Sequence, residues 1–289
     1  MMNIQLLFKS LFLMGLLASS ALVSALPDTS AREYKILLNP SLFNGANPEI
    51  AIASYWTDLQ AVIQSSINRS RSGSFTLDKV RTVKFYDTPS TCRLRANDFI
   101  FRERVENGQR EVTLKYRSPD RYVSGYQDMQ GTGSDAETKF EDDISTPFVV
   151  SYSHSTKQSI GSGKNLNNMD DPIGLFSGLS AYQFNPNESI TLVGGLSISE
   201  VVYSGASVDL GSKVATFDLT LWYLSANSTT PVTAEISYKY ADSNADYSQN
   251  VVTRAKTLFM AMQTMSAWLA TNSMTKTNFV YTYNPSFCQ

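Results

Sequence analysis

The residues best suited to chemistry lie in 83–117, VKFYDTPSTCRLRANDFIFRERVENGQREVTLKYR, where cationic and apolar side chains alternate. Successive side chains of a strand point to opposite faces, so Phe99, Phe101 and Val105 share one side and Arg102 and Arg104 the other. The second arm repeats the pattern, with Val112, Leu114 and Tyr116 opposite Thr113, Lys115 and Arg117. Between the arms, Glu106-Asn107-Gly108 supplies hairpin-turn chemistry. Two neighbouring strands with cations on one shared face form a surface suited to holding an anion.

Other strand-like stretches carry the same kind of face. Lys35 and Glu33 alternate with Tyr34 and Ile36; Lys139, Glu141 and Asp143 alternate with Phe140 and Ile144; Glu235, Ser237 and Lys239 alternate with Ala234, Ile236, Tyr238 and Tyr240. If these strands close into a barrel with the polar faces inward, they line one cavity, in which a multiply charged anion and divalent cations would be favoured. The plainer reading is a one-sided antiparallel sheet, whose mixed charges simply face water.

Several chemistries lack the residues they need. His154 is the only histidine, in a Ser-rich stretch that reads as an exposed loop rather than as the setting of a base or metal ligand. With a single histidine, Cys/His zinc sites lack ligands, and there is no Gly-x-Ser-x-Gly elbow. Gly161-Ser162-Gly163-Lys164 falls short of a phosphate loop, because Asn165 follows the lysine and Gln158 stands at the upstream glycine position.

Residues 1–25 read as a secretory signal: Lys9, an apolar run from Leu11 to Leu17, and Val23-Ser24-Ala25 before the cut. That run is too short to be taken as a membrane span, and no later segment qualifies. A formal net charge of −2 argues against a nucleic-acid duplex as partner. Export also governs Cys92 and Cys288, which are expected to pair and staple the C-terminal tail to the hairpin region; the alternative is two buried free thiols. Asn68, Asn187 and Asn227 head Asn-x-Ser/Thr sequons, which are glycosylation acceptors in a eukaryotic source.

The elements that must position these residues are mainly β, within one domain spanning 26–289. Ile52, Trp56, Leu59, Ile63 and Ile67 mark a helix over 48–67, and Val251, Ala255, Leu258, Phe259, Met262, Met265 and Leu269 another over 250–271. Both stripes are expected to pack on the core. Strands are expected at 32–38, across 80–117, at 139–144, 147–152, 189–194, 199–208, 213–224 and 234–240. A Ser/Gly/Asn-rich insertion is expected around 153–188.

Taken together, Phe85-Tyr86-Asp87-Thr88-Pro89, Leu94-Arg95, Phe101-Arg102-Glu103-Arg104 and Val112-Thr113-Leu114-Lys115 resemble the core motifs of the CYTH superfamily, the triphosphate tunnel metalloenzymes. The resemblance covers roughly a tenth of the chain, with the motifs in family order. It implies an α+β, mainly β fold: an eight-stranded antiparallel barrel, or tunnel, with helices packed outside and the charged faces inside. It implies that Lys35, Arg102, Arg104 and Lys115 grip phosphate oxygens, joined in the tunnel wall by Arg117, Lys139 and Lys239. By looser analogy, Glu33, Glu141, Asp143 and Glu235 would hold Mg²⁺ or Mn²⁺. The chain departs from the family pattern at two points: Ala31-Arg32-Glu33-Tyr34-Lys35 lacks the first carboxylate of Glu-x-Glu-x-Lys, and Glu235-Ile236-Ser237 lacks the second of Glu-x-Glu. Fewer carboxylates weaken a site for hard cations.

Three functions compete on these grounds. One is a secreted, divalent-metal-dependent phosphohydrolase acting on triphosphate or polyphosphate groups. Another is a non-catalytic extracellular protein that binds a small phosphorylated or polyanionic ligand. The third is a structural protein whose inward charges pair with one another.

Overall fold

Strong period-two alternation over many short segments produces eleven strands in the computed structural model, which describes residues 27–271 and 274–289. The expected export signal lies outside the described residues. In chain order the elements are β1 (Ala31–Leu38), α1 (Glu49–Ile67), β2 (Arg71–Ser72), β3 (Thr76–Asp87), α2 (Arg93–Ala96), β4 (Phe99–Glu106), β5 (Gln109–Ser118), α3 (Arg121–Gly125), β6 (Glu137–Ser145) and β7 (Val149–Ile160). There follow α4 (Asp170–Leu175), β8 (Thr191–Leu192), β9 (Ile198–Asp209), β10 (Val214–Tyr223), β11 (Thr233–Ala241), α5 (Gln249–Met262) and α6 (Lys276–Tyr283).

Nine of the strands close into a barrel in the order β9-β10-β11-β1-β6-β7-β5-β4-β3, with β3 returning to pair with β9. The expectation of eight antiparallel strands is corrected in two respects. There are nine staves, and β1 runs parallel to β6, with Glu33 beside Asp143 and Lys35 beside Ser145. The parallel pair arises because strict up-and-down alternation cannot close around an odd number of staves, and the one breach falls between β1 and β6.

Closure fixes which way each face points. The apolar faces of β1, β9, β10 and β11 turn outward and are buried under α1 and α5, with Tyr34, Ile36, Phe217, Leu219 and Tyr238 meeting Trp56, Leu59, Leu258 and Phe259. The Trp56 ring packs edge-on against Phe75 and Phe217, and its Nε1 donates to the Gly73 carbonyl at 3.0 Å. At Gly73 the backbone has φ +72°, and a Cβ would lie 2.0 Å from the Gly205 carbonyl oxygen, so only glycine fits this crossing. Helix α5 ends at Met262, short of the expected 271. Met265 and Leu269 still pack against the core from the irregular chain beyond it.

The insertion expected over 153–188 begins later, because β7 continues to Ile160 and pairs along its length with β5 and β6. This also relocates His154. It is a half-buried strand residue on the outer face of the barrel, its ring tilted against Phe140, with Nδ1 3.1 Å from the Ser124 carbonyl. The chain after Ile160 is irregular but packed: Leu166, Met169, Phe176, Leu179 and Ile190 cover the outward faces of β4 and β5, burying Phe99, Phe101, Val112 and Leu114.

The last helix, α6, lies across one end of the barrel. Its Val280 and Tyr281 pack on Val83, Phe85, Ile198 and Trp222. The Asp-Thr-Pro turn holds this cap in place. The buried Asp87 carboxylate accepts the N–H groups of Leu94 at 2.9 Å and Arg95 at 3.0 Å, and the Tyr281 hydroxyl at 2.9 Å. Arg95 donates to Asn278 and stacks over the Tyr281 ring. The expected Cys92–Cys288 disulfide forms here, 196 residues apart in sequence, and ties the tail to the same turn. Among the described residues no helix is long and apolar enough to cross a membrane.

Candidate functional site

Because the strands alternate and the apolar faces point outward, the charged faces meet inside. They enclose a cavity of about 800 Å³, within the range of small-molecule sites. All eleven residues singled out from the sequence line it: Lys35, Arg102, Arg104, Lys115, Arg117, Lys139 and Lys239, and Glu33, Glu141, Asp143 and Glu235. This is a tunnel lined by β1, β3–β7 and β9–β11, with α6 at one end. The inward cations of β4 and β5 and the outer helices are the arrangement that the sequence resemblance implies.

No family model and no curated protein matches the chain. Among solved structures, it is similar to one from Hippeastrum, described as a candidate adenylyl cyclase with a dominant triphosphatase activity. The identity is 12%, over 88% of this chain and 96% of that one, with a TM-score of 0.43. It is also similar to a candidate adenylate cyclase from Bacillus halodurans, at 11% identity over 88% of this chain and 98% of that one, with a TM-score of 0.39.

The charges inside the tunnel form linked groups. Asp143, on β6, is ligated by cations at both oxygens: Lys35 Nζ lies 2.6 Å from Oδ1, while Lys115 Nζ at 3.1 Å and Arg117 Nη2 at 2.5 Å reach Oδ2. Burial alone would push the Asp143 carboxyl up, but Lys115, Lys35 and Arg117 together hold it well below the usual carboxylate range. Lys35 also meets Glu33 at 2.7 Å. Burial lowers the Lys35 ammonium and the two carboxylates more than reverse this, leaving it above its ordinary value. Lys115 shares Asp143 with two other cations, and burial pushes it down to about 8.

A second group forms around Glu200 of β9, which sequence reading missed. Its Oε1 takes the Arg81 Nε at 2.5 Å and the Arg104 Nε at 3.5 Å, while Oε2 accepts the Trp222 indole N–H at 2.8 Å. Burial opposes the Glu200 charge, but Arg104, Lys276 and Arg81 prevail and depress its pKa. Glu235 pairs with a third overlooked residue, Lys276 of α6, at 2.9 Å. At Glu137, Lys139 and Lys157 approach to 3.3 and 3.1 Å. Lys239 has no ion pair among the described residues and faces Asp218, which burial raises.

Arg102, like Lys239, stands outside this pairing. Its Nη2 sits 3.5 Å from the Thr113 hydroxyl, its Nε has no partner, and among the described residues no carboxylate pairs with it. Burial and then the neighbouring Arg104 push its pKa down to about 9. The Nε atoms of Arg104 and Arg117 also lack hydrogen bonds. Buried donors without acceptors are costly, and an anion seated in the tunnel would relieve that cost.

The four carboxylates expected to hold a divalent cation do not fit that role as arranged. Asp143, Glu33 and Glu235 are already held by ammonium and guanidinium groups, and only Glu141 is left without a cation partner. Ala31 and Ser237, on the same inward faces, offer no carboxylate. Among the described residues no cluster of three or more carboxylate or histidine groups could hold a metal ion. Mg²⁺ takes six oxygen donors, commonly one or two protein carboxylates with waters and phosphates as the rest, and of the four expected here only Glu141 is free of a cation.

Proposed function

We propose that this chain is an exported protein whose tunnel binds a small polyanion of the triphosphate or polyphosphate class. The observation that carries this reading is Arg102: a guanidinium enclosed by the barrel, lacking any carboxylate, with an unpartnered Nε beside Arg104. A linear polyphosphate supplies the missing acceptors in a form that guanidinium groups bind well. The disulfide and the exposure of Asn68, Asn187 and Asn227 support export.

Calorimetric titration of the mature chain with tripolyphosphate, at low and at physiological salt, tests the proposal. Saturable binding that weakens as salt rises is expected; no heat or saturation with any linear polyphosphate rejects it.

One observation favours a hydrolytic version of the same site. Glu141 is the member of the expected acidic set that no cation neutralises, and burial with the nearby Glu33 charge raises its pKa, which suits a group that takes a proton from water. Incubation with tripolyphosphate and Mg²⁺ or Mn²⁺, followed by phosphate assay, separates catalysis from binding. If wild type and Arg102→Ala are equally inactive across pH, the hydrolase reading fails and the binder stands.

A further inference from the structure

Charge balance along the tunnel wall leads beyond ligand class, and rests on the polyanion reading above. Asp143 and Glu33 stand against Lys35, Lys115 and Arg117, leaving one positive charge. Glu200 stands against Arg81 and Arg104, leaving a second. Arg102 adds a third, and Glu235 with Lys276 cancel. Glu141 faces the first of these groups, and over the whole lining twelve basic side chains meet ten carboxylates, so the wall carries an excess of two positive charges.

We propose that the ammonium groups of Lys35 and Lys276 are built-in counter-ions, and that the tunnel binds its polyanion without a divalent metal. Each ammonium sits on a carboxylate that a metal would otherwise need, at 2.6 Å from Asp143 and 2.9 Å from Glu235. Lys276 is the more telling of the two, because it enters from α6 and not from a barrel strand. Its ammonium also lies over the Trp222 ring, 5.6 Å from the centroid. Its helix is pinned by the Tyr281–Asp87 and Arg95–Asn278 hydrogen bonds and by the Cys92–Cys288 bond. A cation held in place before the ligand arrives costs little ordering when it binds.

The test is calorimetric titration with tripolyphosphate in EDTA and again in Mn²⁺, with the association of Mn²⁺ and tripolyphosphate subtracted. The two affinities are expected to agree within fivefold; a gain of more than fivefold in Mn²⁺, or binding seen only with Mn²⁺, overturns the proposal. Absence of binding in both conditions would instead overturn the polyanion reading. Lys276→Met is expected to weaken binding in EDTA by tenfold or more while Lys276→Arg keeps it within threefold; equal affinities for wild type and Lys276→Met remove Lys276 from the role. Independently of any variant's folding, the electron paramagnetic resonance signal of free Mn²⁺ is expected to be unchanged by the unliganded protein, and its loss at stoichiometric protein would count decisively against internal counter-ions.

Discussion

Arg102→Gln separates binding from stability, because its two effects should have opposite signs. In the unliganded barrel Arg102 makes only the 3.5 Å contact with Thr113, a length at which a hydrogen bond contributes little. Its charge is disfavoured by burial and by Arg104, as the fall in its pKa to about 9 records. Removing it should leave the fold unharmed or stabilise it by about 0.5–2 kcal/mol, the usual return from relieving charge repulsion. With polyphosphate bound, the same residue would make charge-assisted hydrogen bonds of about 1.5–3 kcal/mol. At 1.4 kcal/mol per tenfold, that corresponds to roughly a 10–150-fold loss of affinity. Thermal unfolding and calorimetry on one preparation read both numbers. An affinity within twofold of wild type, or a fall in Tm like that from breaking a buried ion pair, would refute the argument that this guanidinium awaits an anion.

Asp143→Asn should cost about 3–5 kcal/mol in chemical denaturation, since it leaves Lys35, Lys115 and Arg117 without their shared counter-charge. Because Asp143 titrates below its unfolded value, its contribution is present above the ordinary carboxylate range and lost as pH falls through the folded value; the variant should lack that acid-side component in a stability–pH series. Lys115 has the opposite sign. Its folded pKa of about 8 lies below that of the unfolded chain, so its penalty is full at neutral pH and shrinks as pH rises from about 8 to the ordinary lysine value. Near pH 8.5, polyphosphate binding by wild type should therefore take up more protons than binding by Lys115→Met, measured by calorimetry in buffers of different ionisation enthalpy. Paired Cys92→Ser and Cys288→Ser changes should destabilise the chain by about 2–5 kcal/mol, as unfolding in denaturant would show.

Much of the wall was legible in the chain because period-two alternation assigns residues to faces whatever the sheet becomes. Arg102, Arg104, Lys115 and Arg117 share a face by spacing alone. Which face is interior is a different matter: alternation is identical in a one-sided sheet and in a barrel turned apolar side out. Closure decides it, and closure rests on the β3–β9 pairing and on covers supplied from distant sequence, α1, α5 and the chain after Ile160. Glu200 was invisible because its neighbours in Ser199-Glu200-Val201-Val202 carry no cation. Arg81 follows a register shift between Leu77 and Lys79 that breaks the strand's rhythm. Lys276 belongs to a helix whose docking across the barrel end no local pattern announces. His154 misled because serine-rich composition suggests a loop, whereas flanking β5 and β6 make its segment a strand.

The pairing of β1 with β11 has a consequence for biogenesis. The first described strand, β1, finds one of its two neighbours only when residues 233–241 have been made, and Cys92 waits for a partner 196 residues further along the chain. Until residues 233–241 and Cys288 have been made, the nascent polypeptide exposes unsatisfied backbone along β1 and an unpaired thiol at Cys92. Assembly so dependent on distant contacts is slow, and the open β1 edge needs shielding until β11 pairs with it.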